Sequence, residues 1–177
     1  MSYDPTENTI EGWMSTCELT WLYDKACQYD TIVEIGSWKG RSAHALGNGC
    51  KVELLCVDHF LGNVEERHFV HLEATQRDIF VDFMSNVGHL PKIKVYKGSS
   101  LDAASLCADK IVDMVFIDGS HTYENAKADI VAWMPKCKHF LCGHDYQQSS
   151  IPRIAEELGL TIKEVGIGSL WYVEVPE

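Results

Sequence analysis

Apolar and polar positions divide this chain into alternating strands and helices. Short β-rich apolar runs predict strands at Thr31–Ile35, Val52–Val57, Ile93–Tyr96 and Val112–Ile117, with a fifth centred on Phe140–Cys142. Helical patterns separate them: Arg41–Gly47, Leu72–Val87, a short segment from Leu101, and Thr122–Met134. Within Leu72–Val87 the residues Ile79, Phe80, Phe83, Met84 and Val87 recur at helical spacing. A helix is expected from Ser150, with Ser as its cap and Pro152 in its first turn. Two last strands, Thr161–Val165 and Leu170–Val175, are joined by a stretch with Gly166 and Gly168. Strands alternating with helices call for a parallel sheet covered on both faces. The last two are joined too tightly for a crossover helix, so they must pair antiparallel, as a hairpin at one edge.

Length sharpens this picture. The chain has 177 residues, and at roughly 150 residues per domain it is expected to form one. Residues 1–29 then read as an N-terminal helical cap and 31–175 as the core. Lys plus Arg is 15 against 26 Asp plus Glu, a net charge of −11. That balance excludes a nucleic-acid partner, which calls for clustered cations. No apolar run approaches the roughly 18 residues of a membrane span, and Met1–Thr9 lacks the pattern of a signal peptide. The seven cysteines are scattered and odd in number, as expected for reduced thiols in a cytoplasmic protein. Cys137, His139, Cys142 and His144 have the composition of a zinc site. On a strand, however, the first two point opposite to the last two, which sets that site aside.

In such sheets ligands bind outside the carboxyl ends of the strands, where strand order reverses. Here those ends are Gly36, Asp58, Gly98, Asp118 and the pair His144-Asp145. Three of the five carry an acid. After the first strand the chain reads Gly36-Ser37-Trp38-Lys39-Gly40-Arg41-Ser42. Gly36 permits a tight turn and Gly40 close helix packing. Trp38 stands where a dinucleotide fingerprint has its middle glycine, and its bulk would block a pyrophosphate. A smaller ligand could still place a carboxylate on the helix N-terminal N–H groups and the Ser42 hydroxyl. Asp58 follows Gly36 by about 20 residues, the spacing of an acid that binds both ribose hydroxyls.

These residues resemble class I S-adenosylmethionine-dependent methyltransferases. Glu34-Ile35-Gly36-Ser37-Trp38-Lys39-Gly40-Arg41-Ser42 is similar to the first motif of the catechol O-methyltransferase-like group. Phe116-Ile117-Asp118-Gly119-Ser120-His121-Thr122-Tyr123-Glu124 is similar to the macrocin-type sugar O-methyltransferases. The resemblance implies a Rossmann-like, doubly wound α/β fold. It implies that Glu34, Gly36, Trp38 and Ser42 surround the methionine part of S-adenosylmethionine, with Ser37 and Gly40 also among the cofactor-binding residues. Asp58 would hold the ribose, His59 would lie beside the adenine, and Ser99 and Ser100 would flank the adenine amino edge. Asp118, which also borders the cofactor, would ligate a divalent metal, Mg²⁺ or Mn²⁺, together with His144 and Asp145. His121 would be the general base. Relatives usually carry an acid followed by an acid or Asn at the last pair. His144 departs from this and suits Mn²⁺, Fe²⁺ or Zn²⁺ better than Mg²⁺.

The resemblance thus implies transfer of a methyl group to a hydroxyl of a small molecule such as a sugar, polyketide or phenol. A metal-independent methyltransferase and a cofactor-binding protein without catalysis are the competing readings; a nicotinamide-dependent oxidoreductase is disfavoured by Trp38. Acceptor recognition must come from what remains. Ser15-Thr16-Cys17-Glu18 is a capping box opening a helix through Trp21 and Leu22. Ile10, Trp13 and Met14 before it could form a lid, or Trp13 and Trp21 could simply cover the sheet. The connection His59–Val87, with Arg67, His68, Phe69 and His71, is long enough to be functional. His44, His68, His71, His89 and His139 carry no motif. The sequence leaves open whether the protein is a homo-oligomer.

Overall fold

The computed structural model describes residues 3–63 and 71–175. Seven strands form one sheet: β1 (Thr31–Ile35), β2 (Glu53–Asp58), β3 (Ile93–Lys97), β4 (Val112–Ile117), β5 (Cys137–Gly143), β6 (Lys163–Glu164) and β7 (Trp171–Glu174). Their order is β3-β2-β1-β4-β5-β7-β6. The first five are parallel, and β7 runs antiparallel to both β5 and β6. Strand order reverses at β1, between β2 and β4, so the crevice expected at a switch point opens there.

The ladder continues just past the strand ends. Gly36 N donates to the Val57 carbonyl at 2.9 Å, Asp118 N to Ile35 at 2.8 Å and His144 N to Ile117 at 3.1 Å. These bonds hold Gly36, Asp58, Asp118 and His144 along one edge of the sheet.

The period of two along each strand divides the core. On β4, Met114 and Phe116 face one side; Val115 and Ile117 face the other. The first side is covered by α1 (Thr16–Ala26), α2 (Arg41–Gly49) and α4 (Ile79–Val87). The second is covered by α5 (Ser100–Leu106), α6 (Tyr123–Trp133) and α7 (Ile151–Leu158). Met114, Val115 and Phe116 are fully buried, and each such side chain contributes about 1.5–3 kcal/mol. Cys137 and Cys142 lie in opposite halves of this core, as strand alternation requires.

The structure corrects several expected boundaries. The single helix expected over Leu72–Val87 is two, α3 (His71–Gln76) and α4. Asp78 accepts from Phe80 N at 3.1 Å and restarts the helix, because a short carboxylate competes with helix continuation. Ser150 precedes α7 but does not cap it: its backbone is left-handed (φ 56°) and its side chain makes no capping bond. The last two strands are shorter than the apolar pattern, and the outermost, β6, is only two residues long. Short edge strands limit unwanted pairing with other chains. Among the described residues no helix is long and apolar enough to cross a membrane.

Candidate active site

The turn from β1 to α2 is built by backbone requirements. Gly36 has φ +83°, and a Cβ there would overlap the Asp118 carbonyl. Trp38 adopts φ 47°, a conformation rare for a bulky residue. The Asp58 carboxylate holds the turn, Oδ2 accepting from both Ser37 N and Trp38 N at 2.8 Å. Its Oδ1 accepts from Phe60 N at 2.6 Å. Each carboxylate oxygen has two acceptor sites, so Asp58 keeps capacity for a ligand hydroxyl. Glu34 lies fully buried beneath the turn, its Oε2 accepting from Ser37 Oγ at 2.5 Å. Its Oε1 has no hydrogen-bond partner among the described residues. Burial pushes this carboxyl up to about 7.

A cavity of about 1010 Å³ runs along the carboxyl ends of the strands. Gly36, Ser37, Trp38, Ser42, Asp58, His59, Ser99 and Ser100 line it, as do Asp118, His121, His144 and Asp145. Glu34 and Gly40 stand behind its wall. At Gly40 a Cβ would press on Val87 and Phe83 at 3.0 and 3.3 Å, the close helix packing expected of it. Ser100 Oγ is engaged, donating to Asp129 Oδ1 at 2.6 Å and accepting from Trp133 Nε1 at 2.8 Å. Asp129 also lines the cavity, and burial pushes its carboxyl up to about 6.

At the other end, acids and histidines converge. His121 Nε2 lies 2.7 Å from Asp145 Oδ2. His144 Nδ1 lies 3.2 Å from Asp145 Oδ2 and 3.7 Å from Asp118 Oδ1. One donor atom each from Asp118, His121 and Asp145 falls within 4.8 Å of the others. Two carboxylates and an imidazole at that spacing fit a divalent cation, with the nitrogen favouring Mn²⁺, Fe²⁺ or Zn²⁺ over Mg²⁺. Burial pushes the Asp118 carboxyl up to about 6, against the charge of His144 and with that of Asp145. Burial opposes ionisation of Asp145, but hydrogen bonds from His121 and His144 hold its carboxyl well below the usual range. Burial likewise opposes charge on His144, yet Asp145, Asp118 and Glu18 outweigh it and raise the imidazole to about 9.

The N-terminal segment closes one wall. Glu11, Gly12, Trp13 and Met14 line the cavity. Trp13 is 63% exposed, with its ring 6.2 Å from that of Trp38. Trp21, by contrast, packs on Phe140 over the sheet at 6.1 Å. Arg41 anchors the segment, donating to the carbonyls of Asn8 (3.1 Å), Ile10 (2.5 Å) and Met14 (2.8 Å). Buried Lys39 bridges it to α3 through Glu11 at 2.8 Å and Glu73 at 2.7 Å. Nothing in the spacing of Lys39, Arg41, Asp129 or Ser169 marks them as site residues. Glu18 carried a signal, the capping box, but one that pointed only to a helix start. His44 and His139 pack beside Tyr3 and Tyr29, at 5.5 and 6.4 Å. Arg67, His68 and Phe69 lie outside the described residues, as does the side chain of His71.

Fold and site together define a methyltransferase-type sheet whose ligand crevice carries an acid–histidine cluster. A family model described as a methyltransferase domain matches residues 33–146. The chain belongs to that family. No protein of curated function matches it by sequence. Among solved structures it is similar to the O-methyltransferase TomG from Streptomyces achromogenes, involved in tomaymycin synthesis and solved with S-adenosylmethionine. Identity there is 13%, coverage 93% of this chain and 82% of that one, and the TM-score 0.63. It is similar to an O-methyltransferase from Bacillus cereus in complex with S-adenosylhomocysteine, at 14% identity, 97% and 86% coverage and a TM-score of 0.63. An rRNA methylase from Streptococcus thermophilus shares the fold at 9% identity, 94% and 100% coverage and a TM-score of 0.59.

Proposed function

We propose that this protein transfers a methyl group from S-adenosylmethionine to a hydroxyl of a small molecule. The observation that carries this is a single cavity whose ends differ in chemistry. One end has the Gly36–Ser42 turn, Asp58 and Ser99; the other has Asp118, His121 and Asp145. The methionine carboxylate would meet the N-terminal N–H groups of α2, and a ribose hydroxyl the one remaining acceptor site of Asp58, on Oδ1. S-adenosylmethionine supplies a methyl group on a cationic sulfur. His121 takes the acceptor's proton, and Asp145, 2.7 Å from its Nε2, orients the ring and stabilises its cation. Trp13 walls the same cavity beside Trp38, their rings 6.2 Å apart. Holding both reactants in line supplies several kcal/mol of the barrier, roughly. The chain's acidity argues for a small-molecule acceptor rather than a nucleic acid.

The convergence of Asp118, His121 and Asp145 favours a metal-assisted version of the same reaction. His144 Nδ1 faces both acids beside this group. A divalent ion held there would lower the pKa of the acceptor hydroxyl. His121 Nε2 can carry the hydrogen that faces Asp145 or hold an ion, but not both at once.

The test is transfer of labelled methyl from S-adenosylmethionine to a library of hydroxyl acceptors, with and without EDTA. Transfer abolished in His121→Ala supports the reading. Activity that survives chelation removes the metal and leaves His121 as the base. Tight S-adenosylmethionine binding with no transfer to any acceptor would mark a non-catalytic binder and overturn it.

A further inference from the structure

Helix α1 contributes a side chain to the acid–histidine cluster. Glu18 sits at its third position and closes the capping box, Oε2 accepting from Ser15 N and Ser15 Oγ, both at 2.8 Å. A capping box needs only one oxygen of the glutamate. Glu18 is 4% exposed. Its second oxygen, Oε1, lies 2.9 Å from His144 Nε2 and accepts from Ser169 N at 3.1 Å.

The turn between β6 and β7 is shaped to receive it. Gly168 has φ +57°, and a Cβ there would overlap the Glu18 carboxylate. Ser169 Oγ stands 3.0 Å from the same His144 nitrogen. His144 is gripped along its backbone as well, its carbonyl accepting from Trp171 Nε1 at 2.8 Å. With Nε2 towards Glu18, Nδ1 faces Asp145 at 3.2 Å and Asp118 at 3.7 Å.

We propose that Glu18 is a positioning residue of the reacting centre: its carboxylate sets the His144 ring against Asp118 and Asp145. A carboxylate on the outer nitrogen of an imidazole fixes which nitrogen faces the chemistry, and where the imidazole ligates a metal the loss of such a partner typically costs about 10–100-fold in metal affinity or activity. The same carboxylate anchors the start of α1, directly after the Glu11–Met14 wall of the cavity. Seating the N-terminal segment and ordering the cluster are therefore one event. This rests on the reading of Asp118, His121 and Asp145 as the reacting centre.

The test compares full-length wild type with Glu18→Gln, Glu18→Ala and Ser15→Ala. Measured are kcat and KM for methyl transfer, calorimetric affinity for S-adenosylmethionine, and the side-chain ¹⁵N resonances of His144. Gln keeps the size of the side chain and an acceptor for the helix start, but removes the charge facing His144. Both Glu18 variants are expected to lose about 10–100-fold in kcat, with KM and cofactor affinity within about threefold and the His144 resonances displaced. Ser15→Ala is expected to melt earlier while kcat stays within about twofold, because Ser15 N still donates to Glu18. Unchanged kcat in Glu18→Gln overturns the proposal. So does a loss in which cofactor affinity and melting temperature fall together while the His144 resonances stay in place; that is a structural role only. If wild type methylates no acceptor, the reading of function has failed. The His144 resonances then decide alone whether Glu18 sets the ring.

Discussion

Replacing Glu34 by Gln tests the electrostatics beneath the cofactor turn. The carboxyl is fully buried, and its one close hydrogen bond is from Ser37 Oγ to Oε2. Burial raises it from 4.5 to about 7, a difference of roughly 3 kcal/mol between its two protonation states. Between those values the folded chain holds a proton that the unfolded chain has released. Stability therefore falls as pH rises through this window and levels off above it. Gln keeps the acceptor for Ser37 Oγ but places an amide nitrogen where Oε1 lacks a partner, which costs about 1 kcal/mol at any pH. The variant should be close to wild type at pH 5 and about 2 kcal/mol more stable at pH 8. Urea unfolding of both proteins without ligand, from pH 5 to pH 8, reads this directly. Asp129, raised to about 6, slopes the same way in both proteins and cancels in the difference; Asp118, also raised to about 6, interacts with Glu34 and adds to the slope that the variant removes. A difference that is flat with pH would show that Glu34 does not carry a buried proton.

Other positions give separate readouts. His121→Ala should lower kcat by about 10²–10⁴-fold with S-adenosylmethionine affinity unchanged, measured by methyl transfer and calorimetry. Asp58→Ala should weaken that affinity by roughly 10–100-fold, a loss of about 1.5–3 kcal/mol from hydrogen bonds to a charged group; unchanged binding by calorimetry would remove Asp58 from the cofactor site. Gly36→Ala should destabilise the fold by more than about 2 kcal/mol, because a Cβ at φ +83° would meet the Asp118 backbone; denaturant midpoints check it. Lys39→Met should release Glu11 and leave Glu73 paired with Arg77 alone, loosening the N-terminal wall and raising KM for the acceptor with kcat little changed.

The alternation of apolar runs was enough for the sheet, because a strand buried on both faces and an amphipathic helix leave different periods in the chain. Gly36, Asp58, Asp118 and Asp145 were legible for a similar reason: in a parallel sheet the strand ends share one edge, so position along the chain becomes position in the crevice. Local competition was harder to read. Asp78 splits a helix whose apolar spacing is unbroken, and Ser150 has cap chemistry but a left-handed backbone. Both outcomes depend on hydrogen bonds a few residues long set against tertiary packing. The partners of the site were not legible at all. Glu18 meets His144 across 126 positions of sequence, and Lys39, Arg41 and Asp129 reach the cavity from elements whose patterns record only which face is buried. Sequence by itself determined the layers and the edge on which chemistry sits, since those follow from periodicity. Which side chains meet across that edge was decided only by tertiary structure, because it depends on how α1 and the β6–β7 turn pack against the ends of β4 and β5.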